Sequence, residues 1–396
     1  MFEIPDRDKG PFLGLFNDSF PPIIDGVTMA VQNYARWLSQ MNHRPLVVTP
    51  WNPVVAETPY PVLRFFSLPI WNRHPYRYGY PKADPFIWHR LRKTRFSLVH
   101  SHCPFSSGRL GIYVKKKQQV PLIATFHSKY RTDLEHSFSK APWLVDIAMK
   151  RILDFFNACD EVWIPQAEVE PTVREYGYKG KLTVVENGID FADLSDCDVH
   201  KEYCSARKRF GIKDSTLSML FVGQHILEKG IKIIVQALSL LPRDMDFRMD
   251  FIGSGYAAKE VEDLSVKNGL SDKVHFHGIV TDREELKARY AASDLFLFPS
   301  FYDNAPLVVR EAAALGTPAI LLKGSTASEV ITDGVNGYLA EQTPESYADM
   351  ISGLYRRREE VSAIGVRARH TIVRSWRDVV EEVADRYAVI LKNGTR

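Results

Sequence analysis

Thirteen short apolar runs punctuate this chain, and amphipathic stretches separate them from one end to the other. In the first half the runs fall at 12–16, 45–50, 62–66, 97–102, 121–125, 161–165 and 182–186. In the second half they fall at 217–223, 247–253, 274–278, 295–300, 318–322 and 337–340. They are almost continuously hydrophobic and rich in β-branched or aromatic residues, as strands buried on both faces of a parallel sheet must be. Between them lie helical patterns such as 27–40, 107–117 and 131–157. Alternation of this kind predicts an α/β protein with two doubly wound domains, and 396 residues suffice for two cores. Turn residues after ENGIDFADL place the boundary near 195, giving domains at 1–195 and 196–375. The segment 376–396 is one apolar-periodic helix with no strand after it, so it is expected to cross back onto the first domain. Ligands of doubly wound sheets bind beyond the carboxyl ends of the strands, so the expected site is a cleft across which the two domains face.

Composition excludes several classes. With 45% hydrophobic and 25% charged residues, the chain is neither a disordered nor a collagen-like protein. No run approaches the roughly 18–20 apolar residues of a membrane span. The opening MFEIPDRDKG mixes both charge signs, unlike a signal peptide, and four cysteines without metal spacing fit a reducing, cytoplasmic setting. Residues 1–190 hold 24 basic and 18 acidic side chains, whereas 191–396 hold 27 and 30. Within 60–132 there are 14 basic residues against one acid, Asp84. In DPFIWHRLRKTRF, Phe86, Ile87 and Trp88 precede Arg90, Arg92, Lys93 and Arg95. That pairing suits an anionic acceptor or an anionic membrane surface, and equally an ordinary solvated face.

Chemistry-bearing residues gather where strands end. After the first run, Asp25-Gly26-Val27 closes a turn and a helix is expected from about Thr28, with Gly26 allowing backbone to approach a phosphate. The full dinucleotide fingerprint is missing, which disfavours a NAD enzyme. In FVGQHILEKG, Lys229-Gly230 opens a helix where a lysine can neutralise a diphosphate. In FPSFYDNAPLVVREAAALG, Pro306 is expected at the first helical position and Gly316 as the left-handed stop. The amides of Leu307 and Val308 would then point at an anion, and Glu311 could accept hydrogen bonds from sugar hydroxyls or pair with an arginine. His102 and His127 close adjacent strands, while His100 reads as structural. Asp244 with Asp246, and Asp196 with Asp198, have the spacing of a metal-binding DxD but read as turn or surface acids.

FNDSFPPIIDGV, VHSHCPFSSG, TFHSKY, ENGID, FVGQHILEKG, FIGSG, VHFHGIV, DLFLFPSFYDNAPLVVREAAALGTP and ITDGVNGYL, in this order, resemble the family 4 glycosyltransferases of the GT-B fold. The resemblance implies two Rossmann-like domains and retaining, metal-independent transfer of a hexose-type sugar from a nucleotide-diphosphate sugar, UDP favoured, with no further cofactor and no nucleic-acid partner. It implies that Gly26 and Lys229 hold the donor diphosphate together with Gln224, Leu307 and Val308. Glu311 matches the second carboxylate of the family's paired-glutamate motif and would bind the ribose, while Asp303 occupies the first and would contact the sugar. His102 matches the sugar-proximal histidine. The catalytic candidates are therefore His102, Lys229 and Asp303, with His127 and Arg131 on the acceptor side. Three residues depart from the family pattern: Asp303 stands for a glutamate, Gln224 for an arginine, and Ala305-Pro306 for Phe-Gly. The acceptor implied is a carbohydrate, lipid or anionic small molecule, in the cytoplasm or at a membrane periphery. Alternatives are a non-catalytic carbohydrate-binding protein and a sugar-nucleotide epimerase on the same fold.

Overall fold

Each apolar run becomes a strand. The computed structural model describes residues 10–394 apart from 24, 56, 71–74, 138–140 and 302, so the opening nine residues and Tyr302 lie outside the described residues. The chain divides into two units, Met1–Gly188 with Trp376–Arg396, and Ile189–Ser375.

In the first unit β1 (Phe12–Phe16), β2 (Pro45–Pro50) and β3 (Val62–Phe65) are followed by a hairpin, β4 (Ser67–Pro69) and β5 (Arg77–Gly79). Then come β6 (Phe96–Ser101), β7 (Leu122–Thr125), β8 (Glu161–Ile164) and β9 (Leu182–Val184). Seven of these form a parallel sheet in the order β3-β2-β1-β6-β7-β8-β9, with Leu15 between Val47 and His100. Every residue of β1 and β2 is buried, which is why neither alternates polar with apolar. The antiparallel β4–β5 pair was not anticipated, because three-residue strands carry too little pattern to read.

The helix Gly26–Gln40 begins two residues before the expected Thr28. Asp25 is its N-cap, accepting from the Thr28 N–H at 2.6 Å. The helical stretch expected at 131–157 is two helices, Tyr130–Ser137 and Pro142–Asn157, the second opened by Pro142 at its first position. The last helix, Trp376–Gly394, buries Trp376, Val379, Val380, Val383 and Tyr387, a single stripe at helical spacing. It packs on the helix Gly26–Gln40 within the first unit, with Tyr34 and Trp376 edge to face at 6.1 Å.

The second unit contains β10 (Leu217–Val222), β11 (Phe247–Ile252), β12 (Val274–Phe276), β13 (Leu295–Phe298), β14 (Ala319–Leu322) and β15 (Tyr338–Ala340). Its parallel order is β12-β11-β10-β13-β14-β15. Strand order thus reverses beside β1 in one sheet and beside β10 in the other. In such sheets the crevice for a ligand opens at the carboxyl ends of the strands flanking the reversal. Those strands are β1 and β6, and β10 and β13.

Part of the basic block lies elsewhere, and Arg73 lies outside the described residues. Gln118 donates to the carbonyls of Leu91 (3.0 Å) and Thr94 (2.9 Å) and accepts from the Phe96 N–H. This brings exposed Arg92, Lys93, Arg95, Lys116 and Lys117 around the amino end of β6, opposite its carboxyl end. Of the three hydrophobics expected beside them, only Phe86 is exposed. Ile87 is core, and Trp88 packs on Tyr113 at 4.8 Å and donates to the Pro81 carbonyl. Basic side chains in the last turns of two helices complement the helix dipoles, which is reason enough for much of the excess. Among the described residues no helix is long and apolar enough to cross a membrane.

Candidate active site

In the second unit the loops after β10 and β13 meet. Leu227–Lys229 form a single 3-10 turn ended by Gly230 at φ 68°. A Cβ on Gly230 would lie 2.1 Å from the Pro299 carbonyl oxygen, so glycine is required by both space and conformation. Gly253 is comparable: its Cβ would lie 1.9 Å from the Gly223 carbonyl, so the FIGSG loop packs backbone to backbone on the loop carrying Gln224.

This packing delivers Lys229 to Asp303. The Lys229 Nζ lies 3.0 Å from Asp303 Oδ1 and 5.4 Å from the Phe298 ring centre. Both side chains are largely sheltered, at 12% and 17% exposure. Ser300 Oγ donates to the other Asp303 oxygen at 2.8 Å. Beyond them the helix Leu307–Ala314 starts, with Pro306 as its N-cap residue rather than its first helical residue. The difference is one of backbone: Pro306 is extended (ψ 121°), and Leu307 and Val308 therefore supply the first-turn amides that lack partners within the helix. Gly316 follows in the left-handed conformation, as expected of a helix stop.

Glu311 is buried on that helix. Arg283 Nη2 donates to its Oε1 at 2.8 Å, and the Tyr290 hydroxyl donates to Oε2 at 3.0 Å. Arg283 also reaches Asp190 at 3.1 Å and stacks over Phe191. The Glu311 charge and burial together push the Tyr290 hydroxyl well above its ordinary pKa, burial being the larger cause. The arginine pairing is thus real, and it leaves lone pairs on both oxygens for sugar hydroxyls. Sequence reasoning missed Arg283 and Tyr290. They stand seven apart on one helix face, inside a charged run that reads as solvated surface. Gln224 is exposed, and its carbonyl accepts from the Ile226 N–H.

Three of the four DxD-spaced acids are engaged in structure, and Asp244 is exposed. Asp246 Oδ2 accepts from Ser215 (3.0 Å) and Thr216 (2.9 Å). Asp196 meets Arg369 and His370, and Asp198 accepts from Ser195, the N-cap of its helix. Among the described residues no group of three or more His, Cys, Asp or Glu could hold a metal ion.

In the first unit, Asp18 fills the N-terminus of the helix Ser106–Gln118, accepting from the Ser107 N–H (3.0 Å) and hydroxyl (2.9 Å) and from Ser106. That anion site is occupied by the protein itself. The start of the helix Gly26–Gln40, by contrast, is framed by Asp25 and by a Ser19–Thr28 hydroxyl pair at 2.8 Å, with Gly26 at the first position.

At the end of β6 the histidines form a stack. His100 is wholly interior, its Nδ1 2.6 Å from the Tyr387 hydroxyl and its Nε2 2.7 Å from Thr125 Oγ1. The ring of His102 stacks on it at 4.2 Å, and His102 Nδ1 meets His127 Nε2 at 3.0 Å. His102 is 1% exposed, whereas His127 is half-buried. Burial holds His100 and His102 well below the ordinary histidine pKa and brings His127 down to about 4. Arg131 lies apart from this stack in its bonding: its guanidinium meets Asp146 at 3.2 Å and Glu135 at 3.8 Å.

These neutral rings predict how the first unit responds to acid. In the unfolded chain each histidine regains a pKa near ~6.5, so below that pH the unfolded state binds protons that the folded state does not. Stability is complete above ~6.5 and falls on acidification toward the folded values, by up to about 1.4 kcal/mol per pH unit for each ring. All seven tryptophans lie in the first unit, so their fluorescence reports on it alone. The urea midpoint read this way is expected to drop between pH 7.5 and 5.5. Equal midpoints would contradict the neutral stack.

The comparisons with known proteins agree with this anatomy. The family model described as Glycosyltransferase Family 4 matches residues 24–193, and that described as Glycosyl transferases group 1 matches 205–371. The D-inositol 3-phosphate glycosyltransferase of Xylanimonas cellulosilytica is 30% identical over 315 residues, covering 75% of this chain and 73% of that protein. The alpha-monoglucosyldiacylglycerol synthase of Streptococcus pneumoniae is 24% identical over 335 residues, 83% and 74% of the two chains. Among solved structures, Anabaena HepE in complex with UDP and glucose matches with a TM-score of 0.75 at 18% identity, covering 95% of this chain and 99% of that one. The chain belongs to the family 4 glycosyltransferases, and its two parallel-sheet Rossmann-like units are those of the GT-B fold.

Proposed function

We propose that this glycosyltransferase moves a hexose-type sugar, with retention of configuration, from a UDP-sugar to an acceptor hydroxyl. The observation that carries the reading is the convergence, within the second unit, of Lys229, Asp303, the Leu307 and Val308 amides and Glu311 at the carboxyl ends of β10 and β13. In this arrangement Lys229 and the first-turn amides stabilise the leaving diphosphate. Asp303 accepts hydrogen bonds from the transferred sugar, and Glu311 accepts them from the ribose. Gln224 adds a neutral donor where a second cation would strengthen the grip. Gly26 and the histidines His102 and His127 are the first unit's contribution, to the diphosphate and to the sugar or acceptor respectively. With fixed dipoles and Lys229 supplying the positive charge, the reaction needs no enzymic nucleophile, metal ion or cofactor.

The relatives' names support a lipid or polyol acceptor: one acts as a monoglucosyldiacylglycerol synthase and another on inositol 3-phosphate. HepE binding UDP and glucose supports the donor. The reading places the enzyme in the cytoplasm, peripheral to a membrane when the acceptor is a lipid.

Titration calorimetry tests the donor half. UDP is expected to bind the wild-type protein, and Glu311→Gln is expected to raise its dissociation constant about tenfold. Losing one charge-assisted hydrogen bond is worth ~1.5–3 kcal/mol, part of which the glutamine amide recovers. Unchanged UDP affinity in Glu311→Gln would remove Glu311 from the ribose.

A further inference from the structure

One row of polar side chains crosses the carboxyl end of the first sheet. The β2–β3 register sets Thr49 opposite Arg64. The Asn17 N–H donates to the Val48 carbonyl and the His102 N–H to the Phe16 carbonyl, which extends both ladders by one residue. The same rung therefore carries Arg64, Thr49, Asn17 and His102 on four adjacent strands, β3, β2, β1 and β6. Registered neighbours in a parallel sheet share a face, at about 4.8 Å per strand. All four residues are buried, and each encloses one polar atom without a hydrogen-bond partner: Arg64 Nη2, Thr49 Oγ1, Asn17 Oδ1 and His102 Nε2. Buried polar groups are nearly always paired, so four orphans on one rung point to a partner outside the fold.

Arg64 is the member of the row that solvent can reach, because β3 is the edge strand. It is also unlike the other buried arginines. Arg207 meets Asp294, and Arg310 donates to the Ile372 carbonyl at 2.6 Å. Arg64, 8% exposed, has neither a carboxylate nor a hydrogen bond among the described residues, and burial alone shifts its pKa, downward. The one acid within 60–132, Asp84, is committed to backbone: its Oδ1 accepts from the Phe86 and Ile87 N–H groups and its Oδ2 from the Phe66 N–H. Arg77, which stacks over Trp51 at 5.3 Å and donates to Ser67, adds a second guanidinium without a carboxylate on the neighbouring hairpin. A buried guanidinium without an anion destabilises a fold, and such violations persist where function uses them.

We propose that Arg64 is an anion subsite of the first unit, which takes the phosphate of a phosphorylated acceptor in its guanidinium fork beside the Thr49 hydroxyl. That the phosphate belongs to an acceptor rests on the glycosyltransferase reading above; that Arg64 takes a phosphate does not. The planar fork pairs with two oxygens, and the hydroxyl on the neighbouring strand serves a third, which a carboxylate lacks. Trp51 and Phe66, which follow β2 and β3 at this edge, are both exposed and offer the body of the ligand an apolar surface. A phosphorylated polyol and a phospholipid head group present the same phosphate.

Calorimetry on the full chain, without nucleotide sugar, tests the subsite apart from transfer. The wild-type protein is expected to bind glycerol 3-phosphate and not glycerol. Arg64→Met should weaken that binding about tenfold or more, and Arg64→Lys, which keeps the charge but not the fork, should recover part of it. Sedimentation with phosphatidylcholine vesicles, with and without phosphatidic acid, separates the two sources. Arg64-dependent binding of glycerol 3-phosphate assigns a soluble acceptor, and Arg64-dependent binding of phosphatidic acid vesicles alone assigns a lipid one. Binding of neither probe, or affinities indifferent to Arg64→Met, overturns the proposal. Methionine fills similar space without the charge, so Arg64→Met is expected to melt no earlier than wild type by tryptophan fluorescence. A midpoint more than ~5 °C lower would make Arg64 part of the fold rather than a site, and would also overturn it. The wild-type titrations decide even where a variant fails to fold. A chain that binds glycerol 3-phosphate through Arg64 and transfers no sugar keeps the subsite and refutes the glycosyltransferase reading.

Discussion

Lys229→Ala is expected to lower turnover by ~10²–10³ while leaving the fold intact, the usual cost of removing one preorganised group that stabilises developing charge. The magnitude follows from where the ammonium sits. It is sheltered, lies against the Phe298 ring and is held 3.0 Å from Asp303, so its charge acts in surroundings far less screening than water. Removing it does two things at once. The diphosphate loses its cation, and Asp303 is left as an uncompensated carboxylate beside an anionic leaving group. With Gln224 neutral, the deficit falls on the Leu307 and Val308 amides. The side chain is not core, and Gly230 and Pro299 maintain the loop contact without it. Steady-state rates with saturating donor check this, and a variant retaining more than about a third of wild-type turnover would contradict the role given to Lys229.

The largest expected loss of stability lies away from the chemistry. Asp294 is 8% exposed and accepts from Arg207 (3.0 Å), Arg358 (2.8 Å), the Ser218 N–H (2.7 Å) and the Tyr203 hydroxyl (3.1 Å). Arg207 is itself 3% exposed. One carboxylate thus compensates two guanidiniums and ties the helices Asp196–Arg209 and Arg358–Ile372 to the sheet. Asp294→Ala removes the compensation but not the charges, and breaking a buried pair from one side costs roughly 3–5 kcal/mol. At ~2–4 °C per kcal/mol for a unit of this size, the second unit is expected to melt ~10 °C or more earlier in calorimetry. UDP binding at low temperature should persist. A melting temperature within ~2 °C of wild type would show that the network contributes little.

Much of this fold was legible because a strand buried on both faces announces itself. Every one of the thirteen apolar runs holds a strand of a parallel sheet, and none needed an alternating pattern. Boundaries were less legible. Asp25 starts its helix two residues early because a capping carboxylate, not the apolar period, sets the first turn. Pro142 divides a stretch whose periodicity runs on through the break. At the candidate site, the residues proposed to meet a donor are visible in the sequence as polar side chains just after strands. The residues that hold them were not. Arg283 and Tyr290 against Glu311, Ser300 against Asp303, and Tyr387 against His100 are distant or generic in sequence and meet only through packing. The basic block shows what a count along the chain leaves out: which end of a sheet the charges occupy, and Gln118 gathers Arg92, Lys93, Arg95, Lys116 and Lys117 at the amino end of β6.

The central claim is transfer of a sugar from a nucleotide-diphosphate donor by the apparatus around Lys229. Its most direct test is proton NMR of a reaction containing UDP-glucose, diacylglycerol in mixed micelles and excess EDTA, with GDP- and ADP-glucose in parallel. The account predicts that UDP-glucose is consumed and a glucosylated lipid appears with the donor's α-anomeric configuration, at a rate that collapses in Lys229→Ala. Consumption of none of the three donors above the Lys229→Ala background, or an inverted product, would contradict it.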